Sequence, residues 1–352
     1  MMNRRALLLP MLAAALAHAA APAADAAQAS AAAREARAVA ADVVRAVTRY
    51  EGNRNQNRFQ QIDRQTRTVK VGPAGALELR NIAGDITVVA GGRDTATIEI
   101  TKTASGASDA EARQHLGLVR VDVVELPARV EVRAVYPQTR GRGQRNVNVS
   151  TAYRVTAPAG TRIRTDTISG DVNVSGVRGE LTLSSISGNI VVRDAGRRVA
   201  GQTISGTVDL VSAQNDAVVD LSSTSGNVTA RGLKVRRMDL GSISGNIIGR
   251  DIQCDQANLH TMSGDVEYTG ALTSGGRYEF RTHSGDVRLT VGEGVGFELE
   301  ASTFSGEVRS GLQLRLEGAT GRRTRTIRGV FGDGRARVDA RSFSGNVLIN
   351  GR

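Results

Sequence analysis

One short phrase recurs through the second half of the chain and limits what it can fold into more than any other feature. It reads Ile168-Ser169-Gly170-Asp171-Val172, and its Ser-Gly pair returns at Gly188, Gly206, Gly226, Gly245, Gly264, Gly285, Gly306 and Gly345. Successive glycines lie 18, 18, 20, 19, 19, 21, 21 and 39 residues apart. A fixed period of about 20 residues with one glycine turn per copy is the signature of stacked repeats. The last step is about two periods, which predicts that one copy has been lost or overwritten. A tenth copy, Ala83-Gly84-Asp85, has alanine for serine and precedes Gly170 by 86 residues, so an insertion separates it from the array.

Each period carries two short alternating strands. One follows the glycine, as at Val172 and Val174, Val208 and Leu210, Val287 and Leu289. The other precedes it, as at Leu181 and Leu183, Val219 and Leu221, Met238 and Leu240, Tyr278 and Phe280. Alternation puts one face in and one face out. The residue before Ser-Gly is usually apolar (Ile168, Ile186, Ile204, Ile243, Met262, Phe304, Phe343), and it is expected to stack on its equivalents within the core. The predicted fold is all-β: a parallel β-helix or β-solenoid of Ser-Gly-Asp/Asn coils. Coils paired in parallel at about 4.8 Å give a rod on the order of 45 Å long. Aromatic residues are 3% of the 352 and tryptophan is absent, so the core must be built from Val, Ile, Leu and Ala. A solenoid manages this, because each coil needs only a few apolar residues.

The remaining chain divides in order. Residues 1–27 read as a signal peptide. Arg4 and Arg5 precede the apolar run Ala6 to Leu16, which is too short to span a bilayer, and small residues follow. No later stretch is apolar enough to cross a membrane. Residues 28–66 read as an Ala/Arg-rich helix, with Val39, Val43 and Val47 as a thin stripe, and then a polar linker. Residues 67–160 read as an α+β module that carries the first copy. Ser108 with Glu111 three residues on forms a capping box that opens a helix through Leu116. Residues 161–352 are the array, with a projecting hairpin inserted near 311–330. The chain stops at Arg352 without an obvious cap, which leaves end-to-end self-association open.

Two residue sets could bind something. The residue after each Ser-Gly is Asp171, Asn189, Thr207, Asn227, Asn246, Asp265, Asp286, Glu307 or Asn346. Asp and Asn suit turns because their side chains bond to nearby backbone. The competing reading is a cation site at Asp265, Asp286 and Glu307, three acids on consecutive coils. The second set is basic. The net charge is +11, and Arg178, Arg197, Arg198, Arg236 and Arg237 recur at similar offsets after several turns. Arg322, Arg323, Arg325 and Arg328 add to them on the hairpin. They form either a solvated edge that resists aggregation or a strip for an envelope polyanion or glycan. Nucleic acid is not expected, since aromatic residues for stacking are nearly absent.

Catalysis has little support. His115, His260 and His283 lie outside the leader, and Ser263 and Ser284 near two of them belong to the repeat. There is no nucleophile-elbow motif and no Asp placed to orient a histidine. His283 occupies the column otherwise filled by Ile, Met and Phe. Cys254 has no ligand cluster around it and reads as a small buried hydrophobe. No cofactor is implied.

The segment Leu77 to Ile86, the stretch Tyr153 to Thr161, the Ser-Gly-Asp/Asn array and the ending Ile327 to Gly334 together resemble the bacterial DUF4097 family of putative adhesins. The resemblance covers residues 67–352. It implies a β-solenoid and an envelope or surface location, and some relatives are linked to envelope-stress sensing. The expected function is therefore an exported, non-catalytic protein that binds a surface or envelope component. The alternatives are a sensing scaffold that docks a protein partner and, third, a glycan-active β-helix enzyme.

Overall fold

The computed structural model describes residues 59–137, 148–292, 294–316 and 325–351. The expected signal peptide, the Val39/Val43/Val47 stripe, Arg322 and Arg323 lie outside them. Among the described residues no helix is long and apolar enough to cross a membrane.

Seven strands and one helix form the N-terminal part: β1 (Phe59–Lys70), β2 (Ala76–Ala83), β3 (Ile86–Ala90), β4 (Thr95–Gly106), α1 (Asp109–Leu118), β5 (Arg120–Leu126), β6 (Arg129–Val135) and β7 (Val149–Ala157). Helix α1 begins as its capping residues dictate. Ser108 Oγ accepts from the Glu111 N–H at 3.1 Å, and Glu111 reaches back to the Ala107 N–H at 2.7 Å. Residues 59–66 are strand rather than linker: β1 pairs antiparallel with β4 along its whole length. Its outer positions are polar and mostly exposed, so the strand is held by backbone hydrogen bonds at a sheet edge, not by burial.

The array begins with β8 (Arg162–Ser169), β9 (Val172–Ser175), β10 (Leu181–Ser187), β11 (Ile190–Ala195), β12 (Arg198–Ser205), β13 (Val208–Ala213) and β14 (Ala217–Ser225). In β15 (Val228–Ser244), β16 (Ile247–Ser263) and β17 (Val266–Ser284) the two strands of a coil run together. Then come β18 (Val287–Val291), β19 (Phe297–Ser305), β20 (Val308–Ser310), β21 (Arg315–Leu316), β22 (Thr326–Phe331), β23 (Ala336–Ser344) and β24 (Val347–Gly351).

All 24 strands belong to one mixed sheet. Within it, two parallel ladders keep the repeats in register, glycine above glycine. The strands before the glycines stack in the order β2, β8, β10, β12, β14, β15, β16, β17, β23, β19. Those after them stack as β3, β9, β11, β13, β15, β16, β17, β18, β24, β20. The stack therefore has ten rungs.

The described rungs leave no gap in the stack at the 39-residue step. The rung that ends at Phe343 lies between those that end at His283 and Phe304, because Ser284 and Ser305 both register with Ser344. The chain builds the outermost rung first with β19 and β20 and returns with β23 and β24 to fill the place before it. The C-terminal strand is thus internal. In the expected hairpin near 311–330, of which residues 317–324 lie outside the described residues, β22 lies antiparallel on β19 and covers the end of that ladder. At the other end β7, β4 and β1 cover β3, and β6 and β5 cover β2.

Nine of the ten turn glycines have two reasons to be glycine, and Gly245 has the second of them alone. Gly188 has φ +156°, and a β-carbon there would lie 2.1 Å from the Gly170 carbonyl oxygen of the rung before. Gly306 repeats this against Gly345 O, also at 2.1 Å, which agrees with the exchanged order of the last rungs. By contrast Gly232, at the second corner of its coil, has φ +62° but nothing within 4 Å of a β-carbon. Gly232→Ala should therefore cost only the left-handed backbone term of about 1–2 kcal/mol. Gly188→Ala should cost at least about twice that, because a rung must also move. Urea denaturation midpoints of the two variants check this; equal midpoints would contradict it.

Candidate functional site

The column expected in the core faces solvent. Counting back from each glycine, the third, fifth and seventh residues point inward and the second, fourth, sixth and eighth outward. Ile168, Ile186, Ile204, Ile243, Met262, Phe304 and Phe343 are the second residues, and they stay half exposed, with Ile204 at 52% and Phe304 at 64%. The core is built by their neighbours on the strand, such as Leu181, Leu183, Leu221, Leu240 and Leu259, facing Val172, Ile190, Val208 and Ile247.

The cause is the third position. It holds Asn81, Thr167, Ser185, Thr203, Ser223, Ser242, Thr261, Thr282, Ser342 and Thr303 in stack order, all buried. Most of these hydroxyls donate to the glycine carbonyl of the preceding rung: Thr203 to Gly188 at 3.0 Å, Ser223 to Gly206 at 2.9 Å, Thr261 to Gly245 at 3.0 Å, Thr303 to Gly345 at 2.7 Å. A carbonyl at a tight corner needs a buried donor. The inward place is therefore taken by a hydroxyl, and strand alternation sends the next residue out. The unbroken run of Asn, Ser and Thr at this position is the sequence signal that would have revealed it.

The outward residues form a row along the stack: Ile82, Ile168, Ile186, Ile204, Thr224, Ile243, Met262, His283, Phe343 and Phe304. The rings at its end stack nearly parallel. His283 and Phe343 have centroids 4.7 Å apart, and Phe343 and Phe304 4.8 Å. Beside the row runs a groove of about 770 Å³ that spans six rungs. Its opposite side is the fourth column: Ser184, Gln202, Ser222, Gly241, His260 and Arg281. Small residues at Ser184 and Ser222 make the hollow, the His260 ring lies over Gly241, and the apolar row makes the ridge.

The column after each Ser-Gly links neighbouring rungs. Asp171 Oδ1 accepts from the Asn189 N–H at 2.8 Å, Asn246 Oδ1 from the Asp265 N–H at 2.8 Å, and Asp286 Oδ1 from the Asn346 N–H at 2.8 Å. The bonds reach the backbone of the next coil, not the local turn. Asp265, Asp286 and Glu307 do not lie on three consecutive rungs, since Asn346 separates Asp286 from Glu307. Arg288 bridges Asp265 at 2.6 Å and Asp286 at 2.7 Å, and Glu307 holds Arg309 at 2.6 Å. Burial opposes the charge on Asp265, but the Asp286 N–H and the Arg288 guanidinium outweigh it and hold the carboxyl below the usual carboxylate range. Among the described residues no group of three His, Cys, Asp or Glu side chains is placed to hold a metal ion.

The seven of these arginines among the described residues do not form one strip. Arg198 and Arg237 share the eighth column, two rungs apart with Val218 between them. Arg178, Arg197 and Arg236 are exposed nearby. Arg198 is paired with Glu180 at 2.8 Å and Arg237 with Asp239 at 3.8 Å. Arg325 and Arg328 lie at the far end, where Arg328 holds Glu300 at 3.0 Å and lowers its carboxyl pKa. The eighth column continues through Gln256 to Arg277 and Arg337, which sequence spacing had not singled out. Exposed pairs of this kind contribute little.

The histidines are not set up with a nucleophile. His115 Nδ1 lies 3.0 Å from the Ser105 carbonyl under α1. His260 Nδ1 lies 3.7 Å from Asp239 Oδ1, beyond hydrogen-bond length. His283 belongs to the ring stack. Cys254 is buried in β16, and burial pushes its thiol up to about 12, far from a reactive thiolate.

Residues 54–350 match the family described as Toastrack DUF4097. The chain belongs to the Toastrack DUF4097 family. No curated protein matches it. Three solved structures are similar to this Toastrack chain. One, described as a "putative adhesin" from Bacteroides fragilis NCTC 9343, is 14% identical, covering 82% of this chain and 97% of that one, with a TM-score of 0.38. Another is a "putative cell adhesion protein" from Clostridium sporogenes ATCC 15579, 9% identical, covering 83% and 100%, with a TM-score of 0.26. A third, a "putative lipid binding protein" from Parabacteroides distasonis ATCC 8503, is 12% identical, covering 82% and 97%, with a TM-score of 0.29. Likeness this low leaves the ligand of this Toastrack chain to be read from its own residues.

The two roles of Asp265 separate by substitution. Asp265→Asn keeps an oxygen for the Asp286 N–H, whereas Asp265→Ala removes it, so the alanine variant should be the less stable at pH 7. Because the folded-state pKa of Asp265 is depressed, its ionic contribution is present above the unfolded carboxylate pKa and is lost as pH falls through the folded value. The stability of Asp265→Asn should therefore fall less steeply than wild type below about pH 4. Thermal melts across that range check both points.

Proposed function

We propose that the chain is an exported, non-catalytic β-helical rod that binds a component of the cell surface or envelope through its outward apolar row. The observation that carries this reading is the row itself. Contiguous exposed apolar surface marks a contact site more often than chance scatter does. Here it lies on a face whose other outward columns are polar, charged or small. The fold does not require it, since a polar residue is accommodated in the same column at Thr224. Arg4, Arg5 and the Ala6 to Leu16 run support export. The serines of the repeat and the placement of the three histidines support a binding role rather than a catalytic one. A sensing scaffold that docks its partner at the last strand or at the 311–330 hairpin is less favoured, because β24 lies inside its ladder and β22 lies against β19.

Co-sedimentation with envelope preparations from the source cells tests the reading. Ile204→Asp combined with Ile243→Asp should weaken binding more than about tenfold, since two half-exposed aliphatic side chains are together worth about 2 kcal/mol before any charge is added. Arg198→Glu combined with Arg237→Glu should change it far less. The reverse pattern would assign binding to the arginine edge and overturn the proposal.

A further inference from the structure

We infer that the groove beside the apolar row takes the hydrocarbon tail of one single-chain anionic amphiphile, with its head group at the His260–Arg281–Arg341 end. This rests on the reading above, and it names the ligand class for the same face. Length is the first argument. Six rungs are five steps of about 4.8 Å, or about 24 Å. One acyl chain spans half of a hydrocarbon core about 30 Å thick, so about 15 Å, which leaves room for a head group. Lining is the second. The ridge is Ile186, Ile204, Ile243 and Met262, interrupted by Thr224, and the hollow over Ser184 and Ser222 carries no charge.

Charge complementarity is the third argument. In the fourth column His260 registers with Arg281, and Arg281 with Arg341. Basic side chains thus follow one another at one end of a groove that is otherwise neutral. Carboxylates of the sixth column hold the guanidinium groups in place, Glu279 on Arg281 and Asp339 on Arg341, the latter at 2.7 Å. Arg341 also lies 3.7 Å from Glu300; a guanidinium has five N–H donors, so one or two carboxylate partners leave donors for a head group. A peptide fits the face less well. The strands below already use their backbone groups in the parallel ladders, and no sheet edge is open along the groove. A planar bilayer would have to enter a groove one chain wide, so the source is a monomeric amphiphile.

Calorimetric titration of the full chain with palmitate below its aggregation concentration tests the inference. Hexanoate should bind at least about tenfold more weakly, because ten fewer methylenes meet the ridge. Ser222→Leu fills the hollow and should lower palmitate affinity at least about tenfold; Ser184→Leu does the same if Ser222→Leu fails to fold. Arg281→Gln with Arg341→Gln should weaken palmitate several-fold yet leave neutral monopalmitin unchanged, in the manner of a charge-assisted contact worth about 1.5–3 kcal/mol. Absence of palmitate binding, palmitate affinity unchanged by both groove-filling variants, or binding confined to phosphatidylglycerol vesicles would overturn the inference. If envelope binding still depends on Ile204 and Ile243 while palmitate fails, the broader reading survives and the amphiphile does not. If envelope binding ignores those residues, the broader reading fails by itself.

Discussion

At each corner of the stack the carbonyl oxygen of one glycine stands where a β-carbon on the next glycine would be. For Gly345 above Gly285 the separation would be 2.0 Å, and for Gly170 above Gly84 it would be 2.2 Å. Rungs can approach to ladder spacing only if every corner lacks a side chain, and all the corners except Gly245 also turn with positive φ. This close approach sets the register. Once the corners are superposed, the third residue before most of them is brought under the glycine carbonyl of the neighbouring rung, and a hydroxyl is the smallest group that satisfies it; Thr167 and Ser185 hold the same buried place without that bond. The Asp or Asn after the glycine then bonds the next rung's N–H. Ser-Gly-Asp is therefore one connected unit that extends from coil to coil.

The functional face follows from the same constraint. With a hydroxyl inside at the third position, an apolar residue at the second can only stand outside. Its repetition at each rung draws a straight line of alkyl groups and then of stacked rings along the stack. Nothing in the corner chemistry demands that these residues be apolar, as Thr224 shows. Their apolarity is the part of the sequence most economically explained by something that binds there.

Much of the architecture was legible in the chain. The period, the two strands per coil, the parallel pairing, the capping box at Ser108 and the interruptions before Gly170 and after Gly306 all follow from spacing and alternation. The polarity of the Ile row was not, because Ile186 and Ile190 have the same hydropathy and sit symmetrically about Gly188; only Ser185 tells which of them is inside. The order of the last rungs was hidden for another reason. Nearly identical repeats can pair in either order, so period alone does not say that β23 enters between β17 and β19. Strand β1 escaped because edge hydrogen bonding leaves no hydrophobic alternation to read. Among the site residues, the acids of the turn column were visible one by one. Their grouping was wrong because Glu307 belongs to the outermost rung, and the arginine offsets missed Arg277 and Arg337 because the coils vary in length.

The central claim is the inward hydroxyl and the outward apolar neighbour. Thiol accessibility tests it most directly. Single substitutions Ile204→Cys and Ile243→Cys, in a Cys254→Ala background, should react with a water-soluble maleimide at the rate of an exposed cysteine. Thr203→Cys and Ser242→Cys, one residue earlier, should be protected until the protein unfolds. Rapid labelling at 203 and 242 with protection at 204 and 243 would reverse the face and contradict the account.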